Sequence, residues 1–308
     1  MTKFIIDANT HGMRIDVALK TLMPEYSRSL IAQWIKQGAI TLNLKNCAVK
    51  DKVKASDTIE VSETLTHTSN EMDNIQGQDI PLDIIFEDED ILVINKPAGL
   101  IVHPGAGNPD NTLANALMHY LPAQNQIPRI GIVHRLDKDT TGLMIIAKSL
   151  SAHTKLVSDM QLRHIKRQYL ALVLGQVYAN GSIKTHYGRH PKNRLKMTVL
   201  KAGRVAVTHY RIEKTYEDFT LLRIDLETGR THQIRVHMAH LNHPVVGDPL
   251  YGRACLQFPD FKRQALHAHQ LEFNHPITQK PLTFTAPIPD DFANLINILD
   301  THHDDDPC

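Results

Sequence analysis

Residues 131–142, GIVHRLDKDTTG, bring Arg135, Asp137 and Asp139 together in a short polar stretch that closes on Gly142. The apolar start reads as the end of a strand, and loops at the mouths of core strands are where side chains are placed for chemistry. Asp137 could act as nucleophile or base, or simply form a turn. Asp139, Thr140 and Thr141 read as turn formers, with Gly142 supplying conformational freedom. Further along, GRTHQIRVH (229–237) carries Arg230 at what reads as the opening of a helix. A cation there costs roughly 0.3–1 kcal/mol against the helix dipole. A carboxylate such as Asp137 would offset that cost; an exposed, hydrated arginine is the alternative. A loop carboxylate with a distant arginine is the skeleton of a site that needs no cofactor, because an aspartate of ordinary pKa near 3.9 is ionised at neutral pH.

Other chemistries lack their motifs. There is no GxxxxGK[ST] phosphate loop, no GxGxxG following a strand, and no HExxH or GxSxG. Of the 19 histidines, His232, His237, His240 and His243 fall close together, but only His237 and His240 have same-face helical spacing and no cysteine is near. Metal sites usually add a carboxylate or a third aligned ligand, so no metal is expected. Cys47, Cys255 and Cys308 form no CxxC pair, which fits reduced thiols in a cytoplasmic protein. The N-terminus has no signal-peptide pattern, and no apolar run approaches the roughly 20 residues of a membrane span.

A chain of 308 residues with 42% hydrophobic content suits two domains, and its net charge of +1 conceals sorted charge. Residues 1–62 hold nine Lys/Arg against six Asp/Glu, and residues 161–211 hold eleven Lys/Arg and no acid. Such local fields favour a polyanion partner.

The elements that must position these residues follow from periodicity. Ile15, Ala18, Leu19 and Leu22 predict one helix. After Pro24, Ser27 is the expected cap of a second, carrying Leu30, Ile31, Trp34 and Ile35 and closed by Gly38. Strands are expected at AITLN and TIEVS, with Arg14, Arg28 and Lys36 off the apolar face. Residues 1–62 thus resemble the S4 RNA-binding module, with those three cations as expected RNA contacts. Residues 63–79 read as a linker, 80–299 as a catalytic domain and 300–308 as an acidic tail. Within 80–299, strands are expected at 91–95, 143–147, 169–174, 205–213 and 219–225, and helices at 112–120 and after Ser151. Strands outnumber helices over short connections, so the fold class is α+β on a largely antiparallel sheet.

HRLDKDTTGLMIIAK (134–148), KRQY (166–169), GRTHQIRVHMAHLNHPVVGDPLYG (229–252) and LHAHQLEFNHP (266–276) resemble, in order, the motifs of the RluA family of pseudouridine synthases. The resemblance implies that Asp137 is the catalytic aspartate and Tyr169 the active-site tyrosine that packs on the base. It implies that Arg230 pairs with the aspartate, that Arg135 fills the gap left by an extruded base, and that Leu266 lines the base pocket. Lys166 is expected to contact substrate. The chemistry implied is uridine isomerisation: the N1–C1′ bond breaks, the uracil turns, and C5 joins C1′, with no cofactor. The implied partner is structured RNA, specifically 23S ribosomal RNA in the hairpin facing the decoding centre, bound by a monomer. The motifs leave tRNA or another rRNA site open as targets, and an inactive S4-type RNA-binding protein is the other alternative.

Overall fold

The computed structural model describes residues 2–23, 26, 28–62, 75–105, 107–252 and 257–304. The expected cap Ser27, linker residues 63–74, the tail beyond Asp304, Cys255 and Cys308 lie outside the described residues. The chain divides into two compact units, 1–74 and 75–308.

In the first unit, α1 (Ile15–Leu22) and α2 (Arg28–Lys36) pack on a sheet of β1 (Thr2–Ile5), β2 (Ile40–Leu42), β3 (Lys45–Asn46) and β4 (Thr58–Val61), in the order β1-β4-β2-β3. Ile15, Leu19, Ile31, Trp34, Ile40 and Ile59 make its core, which is the apolar face the spacing predicts. Gly38 follows α2 with φ +73°, and its N–H bonds to Ile35 O. The outward cations converge: Arg14 Nε and Arg28 Nη2 lie 2.9 and 2.5 Å from the buried Asp16 carboxylate, while Lys36 is exposed.

The second unit holds β5 (Ile84–Glu87), β6 (Ile91–Lys96), α3 (Leu113–Tyr120), β7 (Thr141–Ala147), α4 (Leu150–Gln161), β8 (Lys166–Leu174), β9 (Gly181–Arg189), β10 (Met197–Leu200), β11 (Arg204–Thr215), β12 (Phe219–Leu226), α5 (Gln233–His240), β13 (Leu266–Asn274), β14 (Pro281–Thr285) and α6 (Asp290–Asp304). Its sheet runs β10-β9-β11-β12-β8-β13-β7-β6-β5, with β14 on β13. Every pairing is antiparallel except β13 with β7.

The central strands are buried on both faces, which explains their unbroken apolar runs. In β6 and β7, Ile91, Val93, Leu143 and Ile145 share a core with α4, while Leu92, Ile94, Met144 and Ile146 belong to the larger core on the other face, which also holds side chains of α3. Thr112 caps α3 in a reciprocal pair with Asn115.

Four expectations need correction. The helix after residue 148 is capped by Ser149, whose Oγ accepts from Ala152 N, not by Ser151. Residues 75–79 belong to the second unit, because Ile75 is buried in its core and Asn115 Nδ2 donates to Gln76 O at 2.9 Å. Asp300 lies within α6, where its carboxylate meets Lys214 at 2.9 Å and Tyr216 Oη at 2.7 Å, rather than opening a tail. Residues 128–131 form a 3-10 turn with Arg129 and Ile130 in left-handed conformation, and only an isolated bridge ties Ile132 to Ile146. Asp137 therefore lies in the loop entering β7, not in one leaving a strand.

Candidate active site

The Asp137 loop is held from both ends. Behind it, the buried Lys96 ammonium at the end of β6 donates to Pro97 O, Leu100 O and Lys138 O at 2.7, 2.9 and 2.8 Å. Burial pulls its pKa down to about 7, with Asp139 and Asp137 opposing. Ahead of it, Gln264 Nε2 donates to Thr140 Oγ1 at 3.0 Å, and Thr141 Oγ1 meets His267 Nδ1 at 2.8 Å. Gly142, φ +111°, pairs with Ala268 on β13, where an added Cβ would come within 2.2 Å of Ala268 O. Only glycine lets the loop enter β7 against β13. His134 accepts from Ile145 N at 3.0 Å, and burial lowers its pKa to about 3, so the ring is a neutral brace.

Asp137 opens into a cavity of about 600 Å³ also lined by Arg135, Tyr169, Arg230, Arg235 and Leu266. Tyr169 and Leu266 are buried wall residues and Arg135 is exposed at the rim, which brings these expected residues together with Asp137. Burial raises the Tyr169 pKa, Asp137 adds to the rise and Arg167 opposes it, so the phenol keeps its proton at neutral pH.

Arg230 does not pair with Asp137. The partner is Arg235, whose Nη1 donates to Asp137 Oδ2 at 2.9 Å. The reason is where the helix begins. α5 starts at Gln233, with His232 left-handed before it, so Arg230 precedes the helix and meets no dipole penalty. Its N–H donates to Gln233 Oε1 at 3.0 Å, and its Nε reaches Val205 O at 3.4 Å. Gln233 anchors this turn by donating to Val207 O and Thr208 Oγ1 at 3.0 and 2.9 Å.

Arg235 is positioned in turn by Asp248, through Nε at 2.7 Å and Nη2 at 2.9 Å. Asp248 Oδ1 also accepts from Leu250 N and Tyr251 N at 2.8 and 3.0 Å. Burial alone would raise the Asp248 pKa; the Arg235 bonds and charge and the two N–H groups outweigh it and hold the carboxyl low. Burial opposes the Arg235 charge, and Asp248 and Asp137 together raise its pKa above the ordinary arginine value. Tyr251 Oη accepts from Met197 N at 2.7 Å and meets His232 Nδ1 at 2.9 Å, placing His232 Nε2 3.9 Å from Asp137 Oδ1.

Neither Arg235 nor Asp248 stands out as an isolated residue. The signal was an arginine flanked by apolar Ile234 and Val236, which marks a buried charge in need of a partner. Lys166 lies outside this cavity, paired to Glu272 at 3.1 Å beside a second cavity. Of the paired histidines, His237 is buried between Thr208 Oγ1 and Thr185 Oγ1 at 2.8 and 3.0 Å, while His240 is exposed.

A pinned carboxylate, a planar cation and a protonated tyrosine stand around a nucleotide-sized cavity. The chain belongs to the RNA pseudouridylate synthase family, isomerases that convert uridine in RNA to pseudouridine, and carries an S4 domain ahead of the synthase domain. The family model for RNA pseudouridylate synthases matches residues 90–240, and that for the S4 domain residues 13–59. The chain is 47% identical, over 96% of its length and 91% of the relative's, to the ribosomal large subunit pseudouridine synthase D of Xanthomonas campestris. It is 47% identical to the Escherichia coli protein of that name, over 96% of this chain and 93% of the other. Human RNA Pseudouridylate Synthase Domain Containing 4 shares the fold, with a TM-score of 0.57 at 22% identity, over 71% of this chain and 93% of the human one. No helix among the described residues is long and apolar enough to cross a membrane.

Proposed function

We propose that this chain isomerises uridines of large-subunit ribosomal RNA, with Asp137 as the reacting carboxylate. The observation that carries the chemistry is Asp137 itself. Its Oδ2 is fixed by Arg235, its Oδ1 lies 3.9 Å from His232 Nε2, and the residue lines the cavity that Tyr169 also lines. Arg235 holds the carboxylate in one plane, so the reacting oxygen meets the substrate already oriented. Tyr169 offers a ring face for the uracil and a hydroxyl that keeps its proton. Leu266 closes the apolar side, and Arg135 at the rim stands where a guanidinium plane would replace the extruded base in its stack. That replacement offsets part of the few kcal/mol that extrusion costs.

The choice of large-subunit RNA rests on the names and lengths of the relatives, and the hairpin facing the decoding centre on the motif resemblance. The S4 unit, with Arg14, Arg28 and Lys36 outward, supplies affinity for structured RNA. We take the working form to be a cytoplasmic monomer, which light scattering on the purified chain tests. Mapping pseudouridines in ribosomal RNA from a strain lacking the gene tests the target. Specific sites should be lost from 23S RNA and restored by the wild-type gene. An unchanged 23S map with losses in tRNA would overturn the target assignment.

A further inference from the structure

Arg167 is a buried cation, and among the described residues no carboxylate pairs with it. It precedes Tyr169 by two residues on β8, and side chains two apart share a strand face, so guanidinium and phenol stand side by side. It is 8% exposed, and its buried Nε has no hydrogen-bond partner. Glu227, which shares its walls, is engaged by Arg163 and by His209 Nε2 at 2.7 Å. A Cβ on Gly229 would come within 2.6 Å of Arg167 Nη1, so backbone presses on one side of the guanidinium. Burying an uncompensated charge is costly, and such a group retained next to a cavity is built to receive an anion.

Arg167 lines both the catalytic cavity and a second one of about 350 Å³. The other cations of the second cavity are already neutralised: Lys166 by Glu272 at 3.1 Å, Arg211 by Asp225 at 2.9 Å, and Arg163 by Glu227. These paired groups suit the polar edges of a base and ribose. Arg167 alone among them offers free charge, at the wall where a strand leaving the first cavity would enter the second. A planar guanidinium takes a phosphate through two parallel N–H bonds.

We propose that Arg167 binds the phosphate joining the target uridine to an adjacent nucleotide, and that the second cavity receives that nucleotide. This rests on reading the first cavity as the uridine pocket.

The test uses the full-length chain and a synthetic hairpin in three forms. One has all its phosphates; the others carry a single uncharged methylphosphonate 5′ or 3′ of the target uridine. The 2′-oxygen beside each linkage is methylated, and the control is methylated likewise. One of the two neutral linkages should weaken wild-type binding roughly tenfold, the scale of one charge-assisted hydrogen-bonded contact. Arg167→Gln should weaken control binding similarly and show no further loss on that linkage. Arg167→Lys, which keeps the buried charge, takes its place in the comparison if the glutamine variant does not fold; it should retain part of both the affinity and the sensitivity. The proposal is overturned if both neutral linkages bind wild type within about twofold of control, or if the linkage and Arg167 losses simply add. Conversion of an unmethylated hairpin, measured alongside, tests the pocket reading separately, and the binding comparison stands whether or not turnover occurs.

Discussion

Asp248 grips Arg235 at Nε and Nη2, at 2.7 and 2.9 Å, and so aims the remaining nitrogen at Asp137, 2.9 Å away. The Asp137 carboxylate is thus oriented, through Arg235, by a second carboxylate. The Asp248 side chain is fully buried and that of Arg235 is 6% exposed.

Arg235→Ala strands the Asp248 carboxylate in the interior. Removing one member of a buried pair costs about 3–5 kcal/mol, so urea unfolding should show a loss of that size, and turnover should fall with it. Arg235→Lys keeps charge but not the planar fork and should recover only part of both. A loss below about 1 kcal/mol with normal turnover would mean that Asp137 is oriented by something else.

Arg230→Ala should behave in the opposite way. Among the described residues its side chain bonds only to Val205 O, at 3.4 Å. Stability should change by less than about 0.5 kcal/mol. If Arg230 meets the RNA backbone, the log–log salt slope of binding should drop by roughly 0.7–0.9, with the bound-state rate little changed. A rate collapse with the slope intact would return Arg230 to the chemistry.

This contrast shows what was legible in the sequence. Asp137 could be located because its motif is local: HRLD, the turn residues and Gly142 lie together. The antiparallel sheet was legible because its strands are apolar and its connections short. The partner of Asp137 was not, because the choice between Arg230 and Arg235 depends on where α5 begins, and helix boundaries depend on tertiary contacts. Here Gln233, bonded to β11, sets that boundary. The apolar start of GIVHRLDKDTTG resembles a strand because short apolar runs look alike whether paired or coiled; the left-handed Arg129 and Ile130 just before it decide the matter. Lys96 was invisible as a brace, since its three acceptors are backbone carbonyls that no side-chain pattern reveals.

Lys96→Met keeps bulk and removes those three bonds. Each buried carbonyl left unpaired costs about 1–3 kcal/mol, so a loss of roughly 3 kcal/mol or more is expected, with slower turnover because the Asp137 loop is released. The pH dependence has a definite sign. The folded pKa of about 7 lies below the ordinary lysine value of 10.5. Below about pH 7 both states carry the proton and the burial penalty is felt in full; between the two values the unfolded chain holds a proton that the folded chain lacks, and stability rises with pH. The advantage of wild type over Lys96→Met should therefore grow across that window in urea titrations. An advantage that stays flat across the window would mean that the three carbonyls keep the ammonium charged in the folded state.

Deleting residues 1–74 removes a unit with its own core and leaves the catalytic cavity's walls intact. Binding to the rRNA hairpin should weaken, and its salt slope should fall by roughly 0.7–0.9 for every phosphate that the unit neutralises, while single-turnover rates at saturation persist. Because Arg14 and Arg28 share Asp16, the drop should be smaller than a count of the unit's cations suggests. An unchanged slope would mean that the unit does not touch the RNA.

Asp137→Asn is the sharpest test of the site. The amide oxygen can still accept from Arg235 Nη1, and the loop bonds through Lys96, Thr140 and Thr141 do not involve the Asp137 side chain. Fold and RNA affinity should therefore be nearly unchanged. What disappears is the charge, and with it the nucleophile or base proposed at this position. Turnover of a synthetic rRNA hairpin should fall by at least about a hundredfold, the lower range for removing a positioned acid–base group. Pseudouridine formation and a filter-binding curve, measured on the same preparation, separate the two effects. Turnover within about tenfold of wild type would remove Asp137 from the chemistry, and affinity falling in parallel would make it a binding residue instead.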